Sequence, residues 1–108
     1  MDWRVKTFES QATEAFAFLL DQGFIAAAES PSDVDRRPAT VAVRFIGPDT
    51  SVETALSLGF AGEDGIHTTV LTTEGSSEFG PSVAHKGHEM QKALQAQAAQ
   101  VRTLLDGR

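Results

Sequence analysis

The sequence of 108 residues contains no cysteine. This absence excludes disulfides, thiolate nucleophiles and cysteine-ligated zinc sites, and it fits a reducing compartment, so we predict a cytoplasmic location. Long apolar runs are also missing, because no stretch approaches the roughly 20 apolar residues of a membrane-spanning helix. The first residues lack the apolar run of a signal peptide. We therefore expect no association with a membrane.

Basic residues are missing from a long central stretch. No lysine or arginine lies between Phe45 and His85, whereas six carboxylates do. These are Asp49, Glu53, Glu63, Asp64, Glu74 and Glu78. The formal net charge of −6 disfavours binding to nucleic acid, because like charges repel. A surface of one sign attracts basic partners and speeds their encounter, although the same charge also serves solubility alone.

Length and periodicity predict one small domain with a helix at each end. A chain of 108 residues with 41% hydrophobic residues is long enough for one core and too short for two. Apolar residues at spacings of three and four predict a helix over residues 3–22 that ends at Gly23. The same spacing predicts a closing helix, which begins between Ser82 and His88 and runs toward the end of the chain.

Between the two helices the sequence predicts three to four strands, over residues 24–28, 40–46, 52–60 and 66–73. Residues 30–38 and 74–82 are rich in turn formers and are predicted to be surface loops. Short links favour antiparallel pairing. The expected fold is therefore an α+β two-layer sandwich in the order α-β-β-β-β-α, with both helices on one face of the sheet. The other face is expected to be solvated and to present Arg44, Glu53 and Ser57.

The strongest metal-binding candidate is the pair His85 and His88, followed by Glu89. Zinc sites need three or four ligands in fixed geometry, and Gly87 loosens the backbone between the two imidazoles. We interpret both as exposed histidines near the start of a helix, and we predict no metal and no cofactor.

The sequence also contains no complete catalytic motif. His67 with Asp64 and either Ser76 or Ser77 has the residue types of a hydrolytic triad, but the sequence has no Gly-x-Ser-x-Gly elbow, so we interpret His67 as a strand residue that faces water. Acid-base chemistry by paired carboxylates needs one buried member with a raised pKa. Glu63 and Asp64 lie in a glycine-rich turn, where solvated acids are the simpler interpretation. We predict that the protein is not an enzyme.

One segment carries a family resemblance. The sequence from Phe16 to Phe24 (FAFLLDQGF), with the alternating strands that follow and a closing helix ending Leu104 to Arg108 (LLDGR), resembles small bacterial immunity-type proteins of toxin systems. In that group an opening helix with a Phe-Leu-x-x-x-Gly-Phe-like ending leads into a small antiparallel sheet. The resemblance implies a stoichiometric inhibitor that occupies the active site of a toxin, and an acidic patch suits a basic nuclease. It transfers no functional residue, because such families bind through variable surface acids.

We therefore expect a non-enzymatic protein-binding domain whose partner is basic. The residues predicted to contact that partner are the carboxylates Glu53, Glu63, Asp64, Glu74 and Glu78. Two alternatives stay open: a structural subunit that forms a homodimer through the sheet edge or the second helix, and a module that binds a small ligand or a peptide.

Overall fold

The computed structural model, which describes residues 3–29, 39–58, 64–84 and 87–107, has one antiparallel sheet with helices before and after it in the sequence. The elements, in chain order, are α1 (Trp3–Ala15), α2 (Ala17–Asp21), β1 (Ile25–Glu29), β2 (Ala39–Ile46), β3 (Thr50–Leu58), β4 (Gly65–Thr72), β5 (Gly75–Val83) and α3 (Gly87–Asp106). The strands lie in the order β1-β2-β3-β4-β5, so each pairs with its neighbour in sequence. The predicted α+β class and antiparallel sheet are confirmed.

The predicted opening helix is divided at Phe16. The backbone of Phe16 (φ −100°, ψ 17°) leaves helical geometry between α1 and α2. Its side chain is fully buried, and its ring lies 5.5 Å from the ring of Phe45 on β2. Gly23 ends α2 as expected, because its positive φ of 92° is accessible to glycine at little cost. The following N–H of Phe24 donates to the carbonyl of Leu19 (3.0 Å).

The core lies between the helices and one face of the sheet, which we call the inner face. Strand residues alternate, so every second side chain of β2, β3 and β4 points into this core. The fully or almost fully buried inner-face residues are Val41, Val43, Phe45, Val52, Thr54, Leu56, Leu58, Ile66, Thr68 and Val70. Because α1 contacts β2, α3 contacts β4 and β5, and the two helices contact each other, both cover the same face, as predicted.

The prediction of three to four strands was too low, because the segment 74–82 does not form a loop. Residues 75–83 form β5, which pairs with β4 from Thr72↔Gly75 to Gly65↔Val83. Gly75 has φ +142°, a conformation that permits the tight turn through Thr73 and Glu74. The glycine, serine and proline content of this segment favours turns, which is why a loop was predicted. The segment is a strand because its backbone forms hydrogen bonds with β4. The predicted loop at residues 30–38 lies outside the described residues.

Candidate functional site

The face of the sheet opposite the helices, here called the outer face, carries a row of exposed apolar side chains. In the register of the strands, Ile25 pairs with Ile46, Ile46 with Ser51, Ser51 with Leu71, and Leu71 with Ser76. Residues paired in this way point to the same face. Ile25, Ile46 and Leu71 are 71%, 47% and 53% exposed. We call these three residues the apolar row.

A second row on the outer face carries charge. It follows the pairs Ala27↔Arg44, Arg44↔Glu53, Glu53↔Thr69 and Thr69↔Glu78. Neighbouring rows on one face are about 7 Å apart, because they are separated by two residues along each strand. Arg44 and Glu53 form an ion pair of 2.7 Å, so Glu53 is largely neutralised. Glu78 is exposed and has no ion pair with any residue that the structure describes.

Two further carboxylates lie at the end of the sheet beyond the apolar row. The pairing of Thr50 with Thr72 brings the β2–β3 turn, which contains Asp49, next to the β4–β5 turn, which contains Glu74. A shallow groove lies between these turns and includes Pro48, Asp49 and Thr73. Both carboxylates are exposed. The apolar row therefore lies between Asp49 and Glu74 on one side and Glu53 and Glu78 on the other.

The structure brings together three of the five carboxylates that the sequence analysis selected. Glu53, Glu74 and Glu78 surround the same half of the outer face. Asp64 precedes β4 at its opposite end, roughly 25 Å from Glu74 at about 3.3 Å per strand residue. It is only 3% exposed, and its carbonyl accepts the N–H of Ala84 (3.1 Å), so the expected solvated turn acid is buried. Glu63 lies outside the described residues.

A groove lies between α3 and the free side of β5, on the inner face. Its walls are Phe79, Ala99, Gln100, Thr103 and Leu104. Leu104 also lines a second depression that continues along Gly75, Ser76 and Ser77 toward the turn. Phe79 is half-buried and packs against the core. We call these two depressions, which share Leu104, the β5 groove.

A buried polar network fixes α3 to the two last strands. Gln97 is 1% exposed, and its Nε2 donates to the carbonyl of Ile66 (2.8 Å) and to Oγ of Ser82 (3.2 Å). Oγ1 of Thr68 donates to Oε1 of Gln97 (2.7 Å). The hydroxyls of Thr68 and Thr54 are 3.0 Å apart. Because Thr68 has a single hydroxyl proton, it accepts from Thr54, and every member has a partner.

The possible catalytic and metal sites are not assembled among the described residues. His67 is half-exposed on the outer face and pairs with Ala55, as expected for a strand histidine facing water. Ser76 pairs with Leu71, four residues from His67, which is about 13 Å along a strand. The described part of the chain has no group of three or more metal-ligating side chains; His85 lies outside it. No helix in this part is both long and apolar enough to cross a bilayer.

No family model, no curated protein and no solved structure matches the chain. The resemblance to immunity-type proteins therefore stays a prediction. The apolar row was not among the predicted site residues, although the alternation of β2 already placed Ile46 opposite the core. Leu71 carried no such signal, because Thr68, Thr69, Thr72 and Thr73 around it left the facing of β4 undecided.

Proposed function

We propose that this chain is a protein-binding domain without catalytic activity, and that its outer face contacts a basic partner. The observation that carries the proposal is the position of the apolar row between carboxylates. An apolar anchor surrounded by polar residues is the arrangement in which few residues supply most of the binding energy. An acidic inhibitor of the immunity type, which covers a basic toxin domain, fits this arrangement.

The outer face as a whole has about the size of such a contact. Five strands spaced about 4.8 Å apart, with strands of about eight residues, give a sheet face of roughly 24 Å by 26 Å. Stable protein interfaces bury about 800 Å² of accessible surface on each partner. Side-chain relief raises the accessible area of the face above its planar area. The part of the face around the apolar row is exposed, whereas Ala42 and Ala55, which lie beyond the charged row on β2 and β3, are buried. A partner would therefore contact the half of the face that carries the two rows.

The charge of this surface selects the chemistry of the partner. β3, β4 and β5 contain no lysine or arginine, and Arg44 on β2 is held by Glu53. Asp49, Glu74 and Glu78 consequently supply the field around the apolar row. Complementary charge mainly raises the association rate, whereas apolar contacts near the centre slow dissociation. The expected partner presents apolar side chains ringed by lysine and arginine.

The test has two steps: the adjacent genes are searched for one that encodes a basic protein, and the affinity of the full chain for that protein is measured by titration calorimetry. Glu74→Lys with Glu78→Lys is expected to weaken binding at least tenfold. The control, Glu14→Lys with Asp21→Lys, changes net charge equally on exposed positions of α1 and α2 and is expected to leave binding within threefold. Ile46→Ser with Leu71→Ser is expected to increase the dissociation rate.

Equal weakening by both lysine pairs would contradict a localised surface. The homodimer alternative would be supported instead if the chain bound no such protein and light scattering showed a dimer. In that case the double variant Ile46→Ser, Leu71→Ser should be a monomer. Growth protection in cells that express the neighbouring gene separates inhibition from simple binding.

A further inference from the structure

We propose that the free edge of β5 receives an extended segment of the partner as a sixth strand, with basic side chains on the outer face and apolar side chains over the β5 groove. This inference rests on the proposed function, because it names how the basic partner is held. Addition of a strand to a sheet edge is a common mode of peptide recognition, in which backbone hydrogen bonds provide affinity and side-chain pockets provide specificity.

The first half of β5 is a free edge without lysine, proline or a bulge. β5 pairs with β4, and no strand among the described residues lies on its other side. Alternate residues of an edge strand direct their N–H and C=O groups away from the sheet. Proteins usually protect such edges with charged residues, above all lysine, or with proline or a bulge. In β5 the irregular register and Pro81 lie beyond Phe79. Residues 75–79 contain neither lysine nor proline, and their one charged side chain is that of Glu78, which a basic segment would pair with.

The β5 groove lies where an added strand would place its inward side chains. A sixth strand would run about 4.8 Å from β5, and every second side chain would point to the helix side of the sheet. On that side Phe79, Leu104 and Ala99 form an apolar wall. Among the described residues that line the groove, Glu74 alone is charged. The inward positions of the added strand are therefore expected to be apolar.

Charge selects a basic segment over a second copy of the chain. On the outer side the added strand would lie beside Glu78, and its end would approach Glu74. Self-pairing of β5 would bring two copies of each carboxylate along one short ladder without a basic residue, and like charges across a ladder are destabilising. A segment with lysine or arginine at outward positions would instead form favourable cross-strand pairs.

The experiment uses the full chain and a capped seven-residue peptide of alternating lysine and valine. The control peptide has the same sequence with every backbone nitrogen methylated, which keeps the charge and side chains but removes the hydrogen-bond donors. We expect the unmodified peptide to bind at least tenfold more tightly than the methylated one. Amide hydrogen exchange measured by NMR is expected to slow at least tenfold at alternate residues of 75–79.

Equal affinity for the two peptides, slowed exchange in β1 instead of β5, or no binding of the unmodified peptide would each overturn the inference. A peptide of alternating glutamate and valine that bound equally well would overturn the charge argument. These outcomes are separate from those of the proposed function. If the double variant Glu74→Lys, Glu78→Lys lost partner binding but the peptide test failed, the outer face would still be the binding surface. The free edge of β5 would then play no part in binding.

Discussion

Replacement of Gln97 by methionine tests whether the polar network holds α3 to the sheet. Methionine has a similar volume but neither donates nor accepts as the amide does, so the buried carbonyl of Ile66 loses its donor. An unsatisfied buried group costs about 1–3 kcal/mol. Thr68 also loses its acceptor but can turn its proton to Thr54, which limits that loss to about 1 kcal/mol. Ser82 is half-exposed and can bind water.

The expected total for Gln97→Met is a loss of about 2–4 kcal/mol in the free energy of unfolding. A domain of this size has about 5–15 kcal/mol in all. With a slope of about 1–3 kcal/mol per molar urea, the midpoint of urea unfolding should fall by roughly 0.7–4 M, with a central value of about 1.5 M. Circular dichroism at equilibrium measures this shift. The control is Gln95→Met on the same helix, where the side chain is exposed and the change should stay within about 0.5 kcal/mol.

A double-mutant cycle with Thr68→Val locates the effect in the network. Thr68→Val leaves Oε1 of Gln97 without its donor, and Gln97→Met leaves Thr68 with Thr54 as its remaining partner. The double variant removes both ends of the hydrogen bond between Thr68 and Gln97, so neither group is left without the other. The cost of the double variant should therefore fall short of the sum by at least about 0.5 kcal/mol. A loss below about 0.5 kcal/mol for Gln97→Met, or additivity within about 0.3 kcal/mol, would refute the reasoning.

Three further predictions concern the two faces of the sheet and the irregular register between β4 and β5. Val70→Ala should lower the free energy of unfolding by about 1–3 kcal/mol, because Val70 is buried on the inner face. Leu71→Ala, one residue further on and exposed on the outer face, should change it by less than about 0.5 kcal/mol. Urea unfolding of both variants checks that inner and outer positions alternate along β4. Gly80→Ala should be more destabilising than Gly75→Ala when both variants are unfolded thermally. Both glycines have positive φ, but only at Gly80 would a Cβ lie 2.7 Å from a backbone carbonyl oxygen. Equal losses of stability would contradict the steric argument. Arg44→Gln should change the free energy of unfolding by less than about 1 kcal/mol, because the ion pair of Arg44 with Glu53 is partly exposed. Removal of this positive charge should also raise the association rate with a basic partner at low salt. A slower rate in stopped-flow binding would contradict the electrostatic argument.

Periodicity was sufficient to predict the core side of the sheet but not its last strand. β2 and β3 alternate clearly, so the inward positions of Val41, Val43 and Leu56 follow from the sequence. Six of the nine residues of β5 are glycine, serine or proline, which locally favour turns. Its strand geometry depends on pairing with β4, a contact that local composition does not encode.

The network residues and the candidate surface show the same limit. Gln97 belongs by composition to the polar residues of α3, and only the irregular register between Ile66 and Thr68 creates the buried carbonyl that it satisfies. The apolar row likewise needs the register of four strands, because Ile25, Ile46 and Leu71 are far apart in sequence. Charge was more informative: the segment without lysine or arginine became three adjacent strands.

The polar network and the proposed binding edge are physically connected. Gln97 binds the strand pair at the irregularity near Gly80, where the Cβ of any other residue would lie 2.7 Å from both Nε2 of Gln97 and the carbonyl of Ile66. This contact fixes the second half of β5 against α3 and confines the departure from regular pairing to that half. Residues 75–79 can then continue the ladder with β4 in regular register and keep their outward N–H and C=O groups aligned. If that alignment is what a partner strand recognises, Gln97→Met should weaken binding of the lysine-valine peptide even under conditions where the chain stays folded, while the affinity of the methylated peptide should not change.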